Sequence, residues 1–206
     1  MFKKLLAALG VKLKSPSDAP YRTAELNSVH RMLFADEAGT LFGEAPDANV
    51  VQAIAQDAAE ESRVRLLAAH WLRTNGHVPA TPQLLGVVVE VPLEEGMDTL
   101  AAYADGRVRY INHTNRVAVF EGAPAEMAGQ AQVLVATAIA AAAKAGEATT
   151  SAMPRMGQVR FTFLCQDGNR AAVGYFTAIA RDELAAPVLQ QAQKLLDLVV
   201  RQGYAQ

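Results

Sequence analysis

Asp98, His113, Arg107, Arg109 and Arg116 are the residues of this chain whose types and spacing come nearest to a chemical constellation. A two-residue turn at Asp105-Gly106 predicts a hairpin in which Asp98 opposes His113, with Arg107, Arg109 and Arg116 on the same face of the sheet. A carboxylate so placed would orient the imidazole for proton transfer, and an arginine beside it would hold an anion. Asp98 and His113 are therefore the candidate catalytic pair, and Arg107, Arg109 and Arg116 the candidate ligand-binding residues. The pattern goes no further. No nucleophile or second base stands at an identifiable spacing, and an aspartate facing a histidine across exposed strands is an ordinary cross-strand contact. The expectation is a structural pair, with an Asp98/His113/Arg109 cleft in a small enzyme or ligand-binding module as the alternative.

The other reactive side chains carry less. His70 and His77 have no i,i+4 partner that would complete a metal chelate, and His30 reads as a helix-face residue, so neither a zinc site nor any other metal site is expected. Cys165 falls on the apolar alternation of a strand, which predicts a buried thiol acting as a small hydrophobe in place of a nucleophile. Glycines occur singly, so no phosphate-cradling loop is present and no cofactor is expected.

The elements that must position these residues are clearest in Leu85–Glu121, where three turn signals divide alternating apolar runs into a four-stranded meander. Asp105-Gly106 sets Tyr103 against Val108 and Ala101 against Tyr110. A three-residue loop Glu94-Glu95-Gly96, with Gly96 left-handed, sets Leu93 against Met97 and Val91 against Thr99. A turn at Thr114-Asn115 brings Val117 and Val119 beside Asn112 and Tyr110. These registers gather Val87, Val89, Val91, Leu93, Met97, Ala101, Tyr103, Val108, Tyr110, Val117 and Val119 on one face, the expected core. The opposite face, with Val88, Glu90, Asp98, Leu100, Arg107, Arg109, Ile111, His113, Arg116 and Phe120, is too polar for a core and would meet a partner or a helix.

Before the meander, residues 21–77 predict three helices: one capped by Thr23, one capped by Asp47, and one from about Val64 that stops at Asn75-Gly76. Asp57–Leu72 resembles one unit of a HEAT-type repeat, and a solenoid needs several. After the meander, an alanine-rich helix spans about Ala125 to Ala145, and Gly146 to Gly157 reads as a loop. A hairpin follows, Val159–Gln166 and Ala171–Ile179 about Asp167-Gly168-Asn169, and a last helix starts near Asp182 and stops at Gly203. At the start, Phe2, Leu5, Leu6, Leu9 and Leu13 share one side of a basic amphipathic helix, with Lys3, Lys4, Lys12 and Lys14 largely away from it. The organisation is thus an amphipathic segment at 1–14, a Ser/Pro linker at 15–20, a helical region at 21–77 and a sheet domain at 78–206, with 21–206 as one unit.

The order ββββ-α-ββ-α behind a helical start predicts an α+β fold, one antiparallel sheet with helices packed on it. That order resembles the profilin-like and roadblock-type scaffolds that adaptor proteins use. At the level of residues, LLGVVVEVPLEEGMDTLAAYADGRVRYINH resembles segments of bacterial proteins of about this length without an assigned function, a likeness that brings no catalytic residue. At 206 residues and 51% hydrophobic, the chain has enough apolar surface for a sizeable core. A net charge of −2 without a basic stripe argues against nucleic acid. One cysteine fits a reducing compartment, and no apolar run reaches the ~20 residues of a membrane span. The expectation is a cytoplasmic, non-enzymatic protein whose partner is another protein or a second copy of itself, with peripheral membrane contact through residues 1–14 as a lesser alternative.

Overall fold

A computed structural model describes residues 19–39, 41–43, 45–77, 82–148 and 153–203. The expected amphipathic segment at 1–14 and most of the linker lie outside these residues. Three helices come first, α1 (Ala24–Met32), α2 (Ala48–Gln56) and α3 (Ser62–Thr74). Their ends follow from side-chain chemistry. Thr23 accepts a hydrogen bond from the Leu26 amide and Asp47 from the Asn49 amide, each satisfying a donor that the first turn leaves free. Asn75 closes α3, and Gly76 follows it at φ +80°, a left-handed conformation that ends a helix at little steric cost.

The meander forms β1 (Leu84–Leu93), β2 (Gly96–Tyr103), β3 (Val108–Ile111) and β4 (Val117–Phe120). The chain continues through α4 (Ala125–Lys144), β5 (Gly146–Glu147), β6 (Gln158–Cys165), β7 (Arg170–Tyr175), α5 (Phe176–Ile179) and α6 (Ala185–Gly203). The strands build one antiparallel sheet in the order β4-β3-β2-β1-β6-β7-β5. The fold is α+β, as the element order predicts.

The registers differ from expectation by one residue at every hairpin. Val87 pairs with Ala102 and Val91 with Asp98, Ala102 pairs with Val108 and Ala101 with Arg109, and Ile111 pairs with Val117. Tyr103 and Val108 are therefore not opposed. The expected core face is split accordingly. Val87, Val89 and Val108 pack beneath α4 and α6 with Leu100, Ala102, Phe161 and Phe163. Met97, Ala101 and Tyr103 lie on the other face with Val88 and Ile111, under Tyr21, Leu33 and Leu66 of the helical region. Leu93, Val117 and Val119 are not in the core at all, the last two being 42% and 51% exposed.

The cause is that both faces of the central strands are buried. Residues 85–90 of β1 are enclosed without a break, so period-two alternation no longer tells inside from outside, and a slip of one residue costs no visible pattern. Turn geometry decides instead. Gly96 pairs with Leu93 as the first residue of β2, leaving Glu94-Glu95 as a two-residue turn. Its lack of a side chain serves close approach, since a Cβ there would lie 2.7 Å from the His113 carbonyl oxygen. The second turn takes three residues, Ala104 to Gly106, closed by the Tyr103 amide on the Arg107 carbonyl at 3.0 Å. The third takes His113 to Asn115, with Asn115 at φ +66° and the Arg116 carbonyl accepting from Asn112.

That second turn touches both helical layers. Asp105 and Ser62 bond reciprocally, the Ser62 amide to the carboxylate at 2.7 Å and the Asp105 amide to the hydroxyl at 3.1 Å. Gly106, at φ +87°, abuts α4 so closely that a Cβ would stand 2.9 Å from that of Ala128.

Further along, α4 matches its expected span. Gly146 and Glu147, expected in a loop, add a short edge to β7. The second strand of the last hairpin ends at Tyr175, and Phe176–Ile179 is helical where extended chain is expected. The last helix starts at Ala185, three residues later than expected, with the Asp182 carboxylate accepting from the Leu184 and Ala185 amides. Cys165 continues the buried row Val159, Phe161, Phe163 beneath α4 and α6, and burial pushes its thiol up to about 11.

Candidate functional site

Asp98 and His113 do meet. The Asp98 Oδ1 accepts from both the backbone amide of His113, at 2.8 Å, and its Nδ1, at 2.9 Å. The slipped register does not separate them because His113 stands in the turn after β3 and folds back over the start of β2, where Gly96 leaves room for its backbone. The pair lies at the surface, with the histidine side chain 36% exposed. One amide and one imidazole nitrogen on a single carboxylate oxygen make a turn clamp, and His113 keeps Nε2 for other work.

The arginines expected beside the pair are committed elsewhere. Arg107, at the far end of β3 from His113, binds Asp105 at 2.9 Å and Glu121 at 3.0 Å. Arg109 binds Glu121 at 2.5 Å, stands 3.6 Å from Glu61, and lies over the Tyr103 ring at 5.8 Å. Arg63 joins this cluster through its bond to the Met32 carbonyl and its proximity to Glu61. Arg63, Arg107 and Arg109 thus face Glu61, Asp105 and Glu121, and three positive charges are balanced by three negative ones. Of the three expected arginines only Arg116, beside the third turn, is exposed. The structure joins Asp98 to His113, and Arg107 to Arg109 through Glu121, as two separate groups.

A third polar group has no counterpart in the expected site. Glu90, fully buried in the middle of β1, accepts from His30 Nε2 of α1 at 2.9 Å and from Arg160 Nε of β6 at 2.5 Å. Burial opposes its charge, but the bonds from His30 and Arg160 outweigh that and hold the carboxyl below the ordinary carboxylate range. Glu90 is then an acceptor only, which assigns the Nε2 proton to His30. Edge-on contacts with Tyr21 and Phe34 fix the imidazole, and Tyr21 donates to Thr99 at 2.7 Å one strand over. The sequence held a signal for this group: Glu90 interrupts VVVEV, and Arg160 interrupts VRFTF, so each charge needed a buried partner.

The remaining feature is the β4 edge. Among the described residues no strand pairs with β4 on its outer side. The Asn112 amide bonds the Arg116 carbonyl, so the main-chain groups of 116, 118 and 120 turn toward β3 and those of Val117 and Val119 turn outward. The Val117 and Val119 side chains are also uncovered. Charges that commonly blunt such an edge occur only at its ends, Arg116 and Glu121.

Among the described residues no group of His, Cys, Asp or Glu is placed to hold a metal ion, and no helix is long and apolar enough to cross a membrane. A comparison with known families, curated proteins and solved structures finds no family model, relative or structural neighbour that matches the chain.

Proposed function

We propose that this protein is a non-enzymatic interaction protein of the cytoplasm, and that its β4 edge receives a strand from another protein, in the first instance a second copy of itself. The observation that carries the reading is the coincidence, at Val117 and Val119, of outward main-chain donors and acceptors with exposed apolar side chains. Strand addition uses both, main-chain bonds for affinity and side chains for specificity. Two copies of β4 running antiparallel would set Val117 against Val119 twice and Ala118 against itself, a self-complementary arrangement of the kind a two-fold dimer requires. The test is Val119→Pro. The substitution removes an N–H that β3 does not use, so the internal ladder survives while the outer one is interrupted. Sedimentation should show self-association, or strand capture from a partner, lost in Val119→Pro and retained in Thr114→Ala; equal behaviour of the two would refute the proposal.

The second reading, a small ligand-binding module or enzyme at Asp98 and His113, draws on the 2.9 Å contact between them. Arg109 does not support it as an anion holder, since its guanidinium is engaged by Glu121. The reading requires the His113 ring resonances to respond to a small anionic metabolite, and a panel of such compounds that leaves them unmoved retires it.

A further inference from the structure

One side of α4 is seated in the fold and the other is bare. Met127, Leu134 and Ala138 are buried in the core between the sheet and α6. The outward side runs over Val133, Ala136, Ile139, Ala140 and Ala143, all exposed, with Val133 at 46% and Ile139 at 59%. Between Glu126 and Lys144 the helix carries no charged residue. A solvated helix face looks different: on α6 it holds Lys194, Asp197 and Arg201. Alanine is the strongest helix former, so the alanines need no partner to explain them. Val133 and Ile139 have no such account, since β-branched side chains weaken a helix and these two lie uncovered on it.

The two charges say what fits this side. Glu126 and Lys144 are eighteen positions apart, about five turns, and so share one flank of the bare strip, at its opposite ends. A second copy of α4, laid antiparallel about a two-fold axis at Ala136, brings its Lys144 onto the same flank as Glu126, within ~3 Å along the axis, and does so at both ends. Its macrodipole then opposes that of the first helix. A parallel pair would set like charges at one level and align the dipoles. Val133 and Ile139 stand about 60° to either side of Ala136, so they flank the crossing while the alanines line it, which lets the axes approach to ~8 Å. A helix of 20 residues is ~30 Å long and ~10 Å wide, and ~300 Å² a copy is the area of a weak, reversible pair. Because α4 packs on the face of the sheet opposite the one that carries the Val117 and Val119 side chains, this strip and the β4 edge are separate surfaces.

We infer that the outward side of α4 is a two-fold contact between copies of this chain, antiparallel about Ala136, with Glu126 and Lys144 paired at both ends. The inference goes beyond the β4 reading and does not depend on it. Two contacts of this kind would give sedimentation two steps, the β4 step lost in Val119→Pro and the α4 step lost in Ile139→Glu.

The experiment crosslinks the full chain. Ala136→Cys sets two thiols across the axis, and mild oxidation should join them at least about tenfold faster than the thiols of Gln193→Cys on exposed α6, buried Cys165 being common to both. In the Ala136→Cys chain, Glu126→Lys and Lys144→Glu should each slow the joining, and the two together should restore it. The double exchange sets both charges against the helix dipole, so its recovery would not come from a steadier helix. Ile139→Glu should slow it at least about tenfold, with the unfolding transition unchanged. A rate at position 136 no greater than at 193 would overturn the inference, as would a double exchange that stays as slow as the single ones. Loss of the crosslink in Val119→Pro would assign it to the β4 contact and also overturn the inference. A crosslink that obeys both charges, with no sedimentation step sensitive to Val119→Pro, would uphold the α4 contact and count against the β4 reading. Binding to vesicles of anionic phospholipid that Ile139→Glu abolishes, with no crosslink at 136, would give the strip to a membrane surface and overturn the inference.

Discussion

The two faces of the sheet are closed by different physics. Under α4 and α6 the contacts are almost purely hydrocarbon: Phe161, Phe163, Leu134, Val188 and Leu195 are buried without a polar group among them. Under α1 to α3 the apolar contacts are punctuated by directional bonds. His30 and Arg160 meet Glu90, Tyr21 meets Thr99, the Tyr103 hydroxyl donates to the Leu33 carbonyl at 2.9 Å, and Gln166 donates to the Ala55 carbonyl at 2.6 Å. Hydrophobic burial is non-directional and tolerates sliding, whereas these bonds accept one placement of the helices. The first face is held by volume and the second by address.

Truncation on the two faces should therefore cost similar free energy and behave differently. Phe161→Ala should destabilise by about 3–5 kcal/mol at every pH, through lost burial and the void left behind. Glu90→Ala should cost a comparable ~3–5 kcal/mol near neutral pH, because it strands His30 and Arg160. Denaturant titrations against pH separate them. Glu90's carboxyl is held below its unfolded value, so its contribution is complete above the unfolded value of about 4.3 and is lost as the pH falls through the folded one. The Glu90 variant should converge on the parent in acid while the Phe161 variant stays apart; parallel curves would show that the bonds do not define the second face.

Tyr103→Phe sharpens the contrast at smaller scale. It keeps the ring and leaves the Leu33 carbonyl without its donor, for a cost of about 1–2 kcal/mol. Cys165→Ala, on the hydrocarbon face, should cost about 1 kcal/mol for lost volume and nothing in partner binding. Because burial raises the folded thiol to about 11, the parent should lose stability as the pH rises from the unfolded value near 8.5 toward 11, and Cys165→Ala should lose less of it. His113→Ala, at the surface, should fall below about 1 kcal/mol.

The same contrast explains what could be read from residues alone. Helix ends at Thr23, Asp47 and Asn75 were legible because capping is local chemistry, and the Asp98–His113 contact because both residues lie at the open end of one hairpin, β2 with β3, where a slip of one residue does not part them. Strand register was not, because VVVEV is apolar toward two covering layers and gives no sign of which valine faces which. The Glu90 group was half legible: its two charged strand residues announce a need, but His30 arrives from 60 residues away and only the tertiary fold supplies it.

The turn at Ala104 to Gly106 fastens two layers of the fold together. Asp105 is bonded to the start of α3, and Gly106 is pressed on α4. New termini opened there would unfasten both layers at once, whereas new termini between Glu94 and Glu95, whose side chains project into solvent, would leave each layer seated. Of the two neighbouring hairpins, the molecule can be rewired through the first and not through the second.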